Sequence, residues 1–163
     1  MTLTTQTPKE IKNGNDSTTV FSFTFVINQA SDLVVTHTTS GGVETTVTEG
    51  TGTTNYSVSL PTTPGNGSIT YPATLGTELA TNATLTLKRV VDIDQDTDLV
   101  NQGAWNPSQV EDALDYSRMV DLQQQDDIDR SVKFAVSADL TSFDVDVPAP
   151  VASKVIAINA ANN

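Results

Sequence analysis

The chain is predicted to be mainly β: an N-terminal β-sandwich-like domain, then one long α-helix, then a short β-rich C-terminal segment. Three observations predict this. Short alternating runs recur through the first 98 residues, separated by Gly, Pro and Asn. Thr is heavily used in and between them, and its branched Cβ fits a pleated surface while its hydroxyl keeps the outer face wet. From Asn106 onward, several helix-start signals coincide and the spacing of apolar residues changes.

Residues 1 to about 17 are polar and carry Asn13-Gly14-Asn15-Asp16, a turn signal. In Val20-Phe21-Ser22-Phe23-Thr24-Phe25-Val26, a period of two puts Phe21, Phe23 and Phe25 on one face of a strand, which makes them the candidate core of the β domain. Leu33 to Thr38 and Val43 to Thr48 flank Ser40-Gly41-Gly42 and read as a hairpin. Further strands are expected at Tyr56 to Leu60, Ser68 to Tyr71 and Ala83 to Arg89. Pro61, Pro64-Gly65-Asn66-Gly67, Gly76 and Asn82 separate them as turns. Several short strands at near-regular spacing suggest a sandwich or small barrel.

Asn101-Gln102-Gly103-Ala104 reads as a linker. Then Asn106 can cap a helix, Pro107 suits its first position, and Gln109 sits where a capping box wants it. Trp105 and Val110 occupy the two positions of a hydrophobic staple, and Glu111 and Asp112 favour the positive end of the helix dipole. The helix is expected over residues 107–131. At 100° per residue, Val110, Ala113, Leu114, Tyr116, Val120, Ile128 and Val132 fall within an arc of about 160°. Asp112, Asp115 and Asp126 lie opposite. Met119 and Leu122 fall outside the arc and imply a second contact surface. The heptad seam Val110, Ala113, Ser117, Val120, Gln124, Asp127, Ser131 is a poor dimeric zipper, but it suits a short, partly polar multi-helix contact. Seven acids against two bases make the isolated helix marginal, so packing must hold it. Beyond it, Val132 to Val136, Phe143 to Val147 and Val155 to Ile158 alternate as strand candidates around Pro148-Ala149-Pro150.

A formal net charge of −12 argues against binding nucleic acid or an anionic membrane. With no Cys there are no disulfides and no thiolate chemistry. No apolar run approaches the roughly 18 residues of a membrane span, and Met1-Thr2-Leu3-Thr4-Thr5 lacks the regions of a signal peptide. Synthesis in the cytosol is the expectation. His37, the one histidine, sits among threonines on an expected strand, and no nucleophile elbow surrounds any Ser. It is read as a solvent-facing strand residue. One His and no Cys do not make a zinc site. Asp92-Ile93-Asp94-Gln95-Asp96-Thr97-Asp98 resembles the start of a calcium loop. Thr97 stands where the turn glycine belongs, though, and Gly103 where the bidentate Glu belongs. It is read as a solvated acidic connector. Paired carboxylates for glycoside hydrolysis are not excluded by count, but a sugar cleft usually brings aromatics, and one Trp and three Tyr are few. No catalytic residue, metal or cofactor is assigned.

Asn13-Gly14 before Phe21 to Phe25, Asp32-Leu33-Val34-Val35, Asn55-Tyr56-Ser57-Val58, Leu85-Thr86-Leu87-Lys88-Arg89, Gln95-Asp96-Thr97-Asp98-Leu99 and Val110-Glu111-Asp112-Ala113-Leu114-Asp115 occur in that order. In order and spacing, over about residues 10 to 125, the chain resembles the N-terminal, virion-anchoring region of tail fibre proteins from short-tailed, T7-like phages. Pro148-Ala149-Pro150 and Lys154-Val155-Ile156-Ala157 look like the linker that follows this region. The resemblance implies a homotrimer in the virion. Residues 1–98 would form a tail-docking β domain, 99–106 a linker, 107–131 the start of a three-fold stalk, and 132–163 a linker to a shaft or the end of the chain. Val110, Ala113, Leu114, Ser117, Val120, Gln124 and Ile128 are the candidate trimer interface. Expected partners are two further copies of the chain, the adaptor or nozzle proteins of the tail, and a downstream receptor-binding protein. The family usually continues into a long shaft and a receptor-binding tip, whereas this sequence stops at Asn163. A short adaptor that recruits a receptor-binding protein and a carbohydrate-binding adhesin are the alternative functions.

Overall fold

The computed structural model describes residues 6–74, 76, 78–94, 106–131 and 133. The expected linker 101–104, Trp105 of the staple, residues 95–98 of the acidic run and the strands expected after residue 131 lie outside the described residues.

Seven strands and one helix follow in order: β1 (Lys9–Asn13), β2 (Val20–Ile27), β3 (Leu33–Thr38), β4 (Glu44–Val47), β5 (Ser57–Ser59), β6 (Gly65–Thr70), β7 (Thr84–Arg89) and α1 (Pro107–Asp129). They form two antiparallel sheets, ordered β1-β7-β3-β4 and β2-β6-β5. The alternation in β2 does what its spacing implies. Phe21, Phe23, Phe25 and Ile27 are buried while Val20, Ser22 and Thr24 face out. Opposite them, Leu33 and Val35 of β3 and Leu85 and Leu87 of β7 join the same core. Residues of both sheets thus share one apolar interior, which is the sandwich arrangement. The Phe23 and Phe25 rings stack at 4.9 Å. Burying each ring contributes roughly 1.5–3 kcal/mol. Tyr56 fastens the layers with its polar end, its buried hydroxyl donating to the Leu33 carbonyl at 2.9 Å.

Two segments differ from the sequence expectation. The polar stretch Lys9 to Asn13 is a strand, paired along its length with β7. It is polar because it lies at a sheet edge, where charged side chains deter unwanted pairing. It also closes the seam between the sheets. Glu10 accepts the Thr24 backbone N–H at 2.7 Å, and Gln6 accepts that of Val26 at 2.8 Å. These side chains satisfy donors along β2 that no strand reaches. The second difference is Gly65-Asn66-Gly67, expected as a turn, which opens β6 and pairs with β2. Glycine is needed there for approach, since a Cβ on Gly67 would lie 2.3 Å from the Ser59 carbonyl oxygen of β5.

At the end of the core near Val26, Arg89 is fully buried. Its Nη1 donates to the Val26 carbonyl at 2.8 Å, while Nε and Nη2 have no hydrogen-bond partner among the described residues. Burial pushes the guanidinium pKa down, and Asp32 nearby pushes back. The Asp32 carboxylate in turn accepts the backbone N–H groups of Asn28 and Gln29.

Candidate functional site

The helix begins as its sequence dictates. The Asn106 side chain accepts the Ser108 backbone N–H at 3.3 Å, and Pro107 takes the first turn, where it forfeits no intrahelical bond. Glu111 and Asp112 were expected to favour the dipole, but the first turn holds no acid. The dipole effect fades beyond that turn.

The face that α1 turns to the β domain is the second surface that Met119 and Leu122 implied, together with the acidic side that the sequence leaves to solvent. Met119, Leu122 and Gln123 are buried, and Met119 packs with Val26 and Val91. Gln123 Oε1 accepts the Val91 N–H at 2.8 Å while its Nε2 donates to the Val91 carbonyl at 3.4 Å. One side-chain amide thereby satisfies both peptide groups of a residue just past β7. The Tyr116 hydroxyl donates to the Asp92 carbonyl at 2.6 Å. Asp126, expected on the solvent face, lies 3.5 Å from Lys9 and 3.7 Å from Lys88, and Asp127 pairs with Lys88 at 2.7 Å. The physical reason is charge. Two lysines on neighbouring strands β1 and β7 make the acidic side of the helix attractive, and Met119 supplies the apolar centre. Replacing Gln123 with Leu strands the Val91 peptide groups and is expected to cost about 1–3 kcal/mol, read as a lower urea midpoint.

The other side of α1 carries the candidate trimer residues. Leu114 and Ile128 are 65% and 53% exposed. Ser117 and Gln124 are exposed, and Val110 and Ala113 are half-buried. Val120 stands apart from this set, at the rim of the Met119 cluster with Tyr116. The helix therefore has two distinct faces. One is occupied within the chain, and the other presents apolar side chains outward.

Docking depends on ionisation. The Lys88 hydrogen bond holds the Asp127 carboxyl below its ordinary value near 3.8. For Glu10, burial raises the pKa but is outweighed by hydrogen bonds from Lys12 and Thr24, so it also lies below its ordinary value. A carboxyl lowered on folding contributes stability that is present above its unfolded value and lost as pH falls through the folded one. The urea midpoint is expected to fall as pH drops below the ordinary values of these carboxyls, 3.8 and 4.5, and Asp127→Asn to flatten part of that fall.

His37 was expected to face solvent, but it is half-buried on β3 and stacks near Tyr71, with ring centroids 6.1 Å apart. The two border a cleft of about 310 Å³ with Thr53, Thr54, Glu78 and Leu79. Sequence reasoning missed this grouping because its residues come from four separate segments. Among the described residues, no cluster of three His, Asp or Glu side chains could hold a metal ion. Asp92 and Asp94 of the acidic run are exposed. Among the described residues, no helix is long and apolar enough to cross a membrane. No protein-family model matches the chain, and no curated protein matches it in sequence.

Proposed function

We propose that the chain is a structural virion protein, the part of a short-tailed phage tail fibre that anchors it to the tail and so supports host-cell attachment. It acts by assembly and not by catalysis. Three copies associate through the outward face of α1, with Val110, Ala113, Leu114 and Ile128 turned toward the axis and Ser117 and Gln124 hydrogen-bonding across it. The β domain docks on adaptor or nozzle proteins of the tail.

The observation that carries this reading is an apolar face of α1 that is left exposed among the described residues. A helix already docked by one side onto its own domain has no fold-related reason to expose Leu114 and Ile128 on the other. Burial between copies gives them one, and it stabilises a helix whose charge makes it weak alone. The order of motifs from Asn13 to Asp115 supplies the identity of the assembly. Light scattering of the whole chain is expected to give three times its 17.3 kDa mass. A monomer at micromolar concentration, unchanged by adding tail proteins, would overturn the proposal.

A further inference from the structure

We infer that the cleft formed by His37, Tyr71 and Glu78 is the docking pocket of the β domain, and that it receives a lysine or arginine side chain presented by a partner protein. This rests on the reading of the β domain as a docking module, though not on the trimer.

The position is the first argument. In the pairing of β3 with β7, Leu33 lies opposite Arg89 and His37 opposite Leu85. Arg89 reaches Val26, against which the helix packs, so His37 lies toward the other end of the sandwich. The cleft is thus remote from α1, where a second partner can reach it while the helix faces are engaged.

The chemistry is the second. The cleft of about 310 Å³ suits a single side chain or ring-sized group. Among the described residues, Glu78 is its one carboxylate, and neither Lys nor Arg lines it. Among the described residues, no hydrogen bond or ion pair engages the side chains of Glu78, His37 or Tyr71. A half-buried carboxylate beside an aromatic ring, with the exposed Thr53 and Thr54 at the rim, combines two attractions for a cation. One is a charge-assisted hydrogen bond, and the other is the negative face of the ring. An anion is repelled at such a site, and a neutral sugar gains neither attraction in full. The net charge of −12 steers a basic partner surface toward the chain and disfavours acidic ones.

The test is a titration of the ¹⁵N-labelled chain with N-acetylarginine amide, followed by amide shifts. Saturable shifts at His37, Tyr71 and Glu78 are expected, with a dissociation constant of about 10 mM or below. N-acetylglutamine amide should give none. Glu78→Gln keeps the side-chain size and is expected to weaken binding at least about tenfold, with the remaining spectrum unchanged. Thr54→Lys, at the exposed rim, should abolish binding by placing a fixed cation there. No saturable shift, or unchanged binding by Glu78→Gln, overturns the inference. So does a stronger response of the same residues to a neutral methyl hexoside, which would make the cleft a saccharide site. Oligomeric state is measured at α1 and leaves this result untouched, so the two readings fail separately.

Discussion

Leu114→Asp is expected to reduce the assembled protein to monomers while leaving the β domain and its docked helix folded. In the single chain Leu114 is 65% exposed, so the substitution removes no buried intrachain contact. In the proposed trimer it removes three apolar side chains, each contributing roughly 1.5–3 kcal/mol on burial. It also sets three carboxylates around one axis, where like charges repel in a desolvated environment. Light scattering should fall to one chain mass. The circular dichroism spectrum and the urea midpoint measured under monomeric conditions should stay within about 0.5 kcal/mol of the parent, as for a surface change. Met119→Asp is the informative contrast. It strikes the occupied face beside Val26 and Val91, so it should loosen the helix from its own domain whatever the oligomeric state. If Leu114→Asp left the mass unchanged, the outward face would not be the contact.

Gly14→Ala is expected to be the most damaging single-methyl change outside the core. A Cβ at Gly14 would lie 2.1 Å from the Ala80 carbonyl oxygen and 2.6 Å from that of Leu79. Neither atom is the end of a flexible side chain, so backbone must move. The backbone it would displace is held firmly. Gly14 N–H donates to the Ala83 carbonyl at 2.9 Å, Asp16 N–H donates to that of Leu79 at 3.0 Å, and the Asp16 carboxylate accepts the Thr81 N–H at 3.2 Å. A cost at the upper end of the usual 1–3 kcal/mol for overpacking lowers the melting temperature by about 10 °C. Asn15→Ala, which removes only a local turn bond network to Ser17 and Thr18, should cost far less. Equal melting temperatures for Gly14→Ala and the parent would mean that the two segments do not meet as closely as described.

Alternation was readable wherever one face of a strand is apolar and the other polar. Phe21, Phe23 and Phe25 mark β2, and Leu33 and Val35 mark β3, because burial against the opposite sheet demands that period. β1 was not readable, because an edge strand whose Glu10 and Lys12 pair with each other carries no apolar signature. The start of β6 was hidden by a composition chosen for close approach at Gly67, which looks like that of a turn. In the helix, the cap at Asn106 and Pro107 is local chemistry and was legible. Its docked face was not. Met119, Gln123 and Asp126 make sense only once Val26, Val91, Lys9 and Lys88 are beside them, and those residues lie far away in sequence. Leu122 and Met119 did signal a second surface, but nothing local said against what. The cleft around Glu78 was invisible for the same reason, since it exists only after β3 and the turns beside it are folded together.

The attachment of α1 to β7 has a mechanical consequence for the proposed anchor. A pull on the helix does not travel only along the covalent chain. Gln123 and Asp127 pass it sideways to Val91 and Lys88, at the end of a strand hydrogen-bonded to neighbours on both sides. Load entering β7 this way is shared with β1 and β3 through the two ladders that flank it.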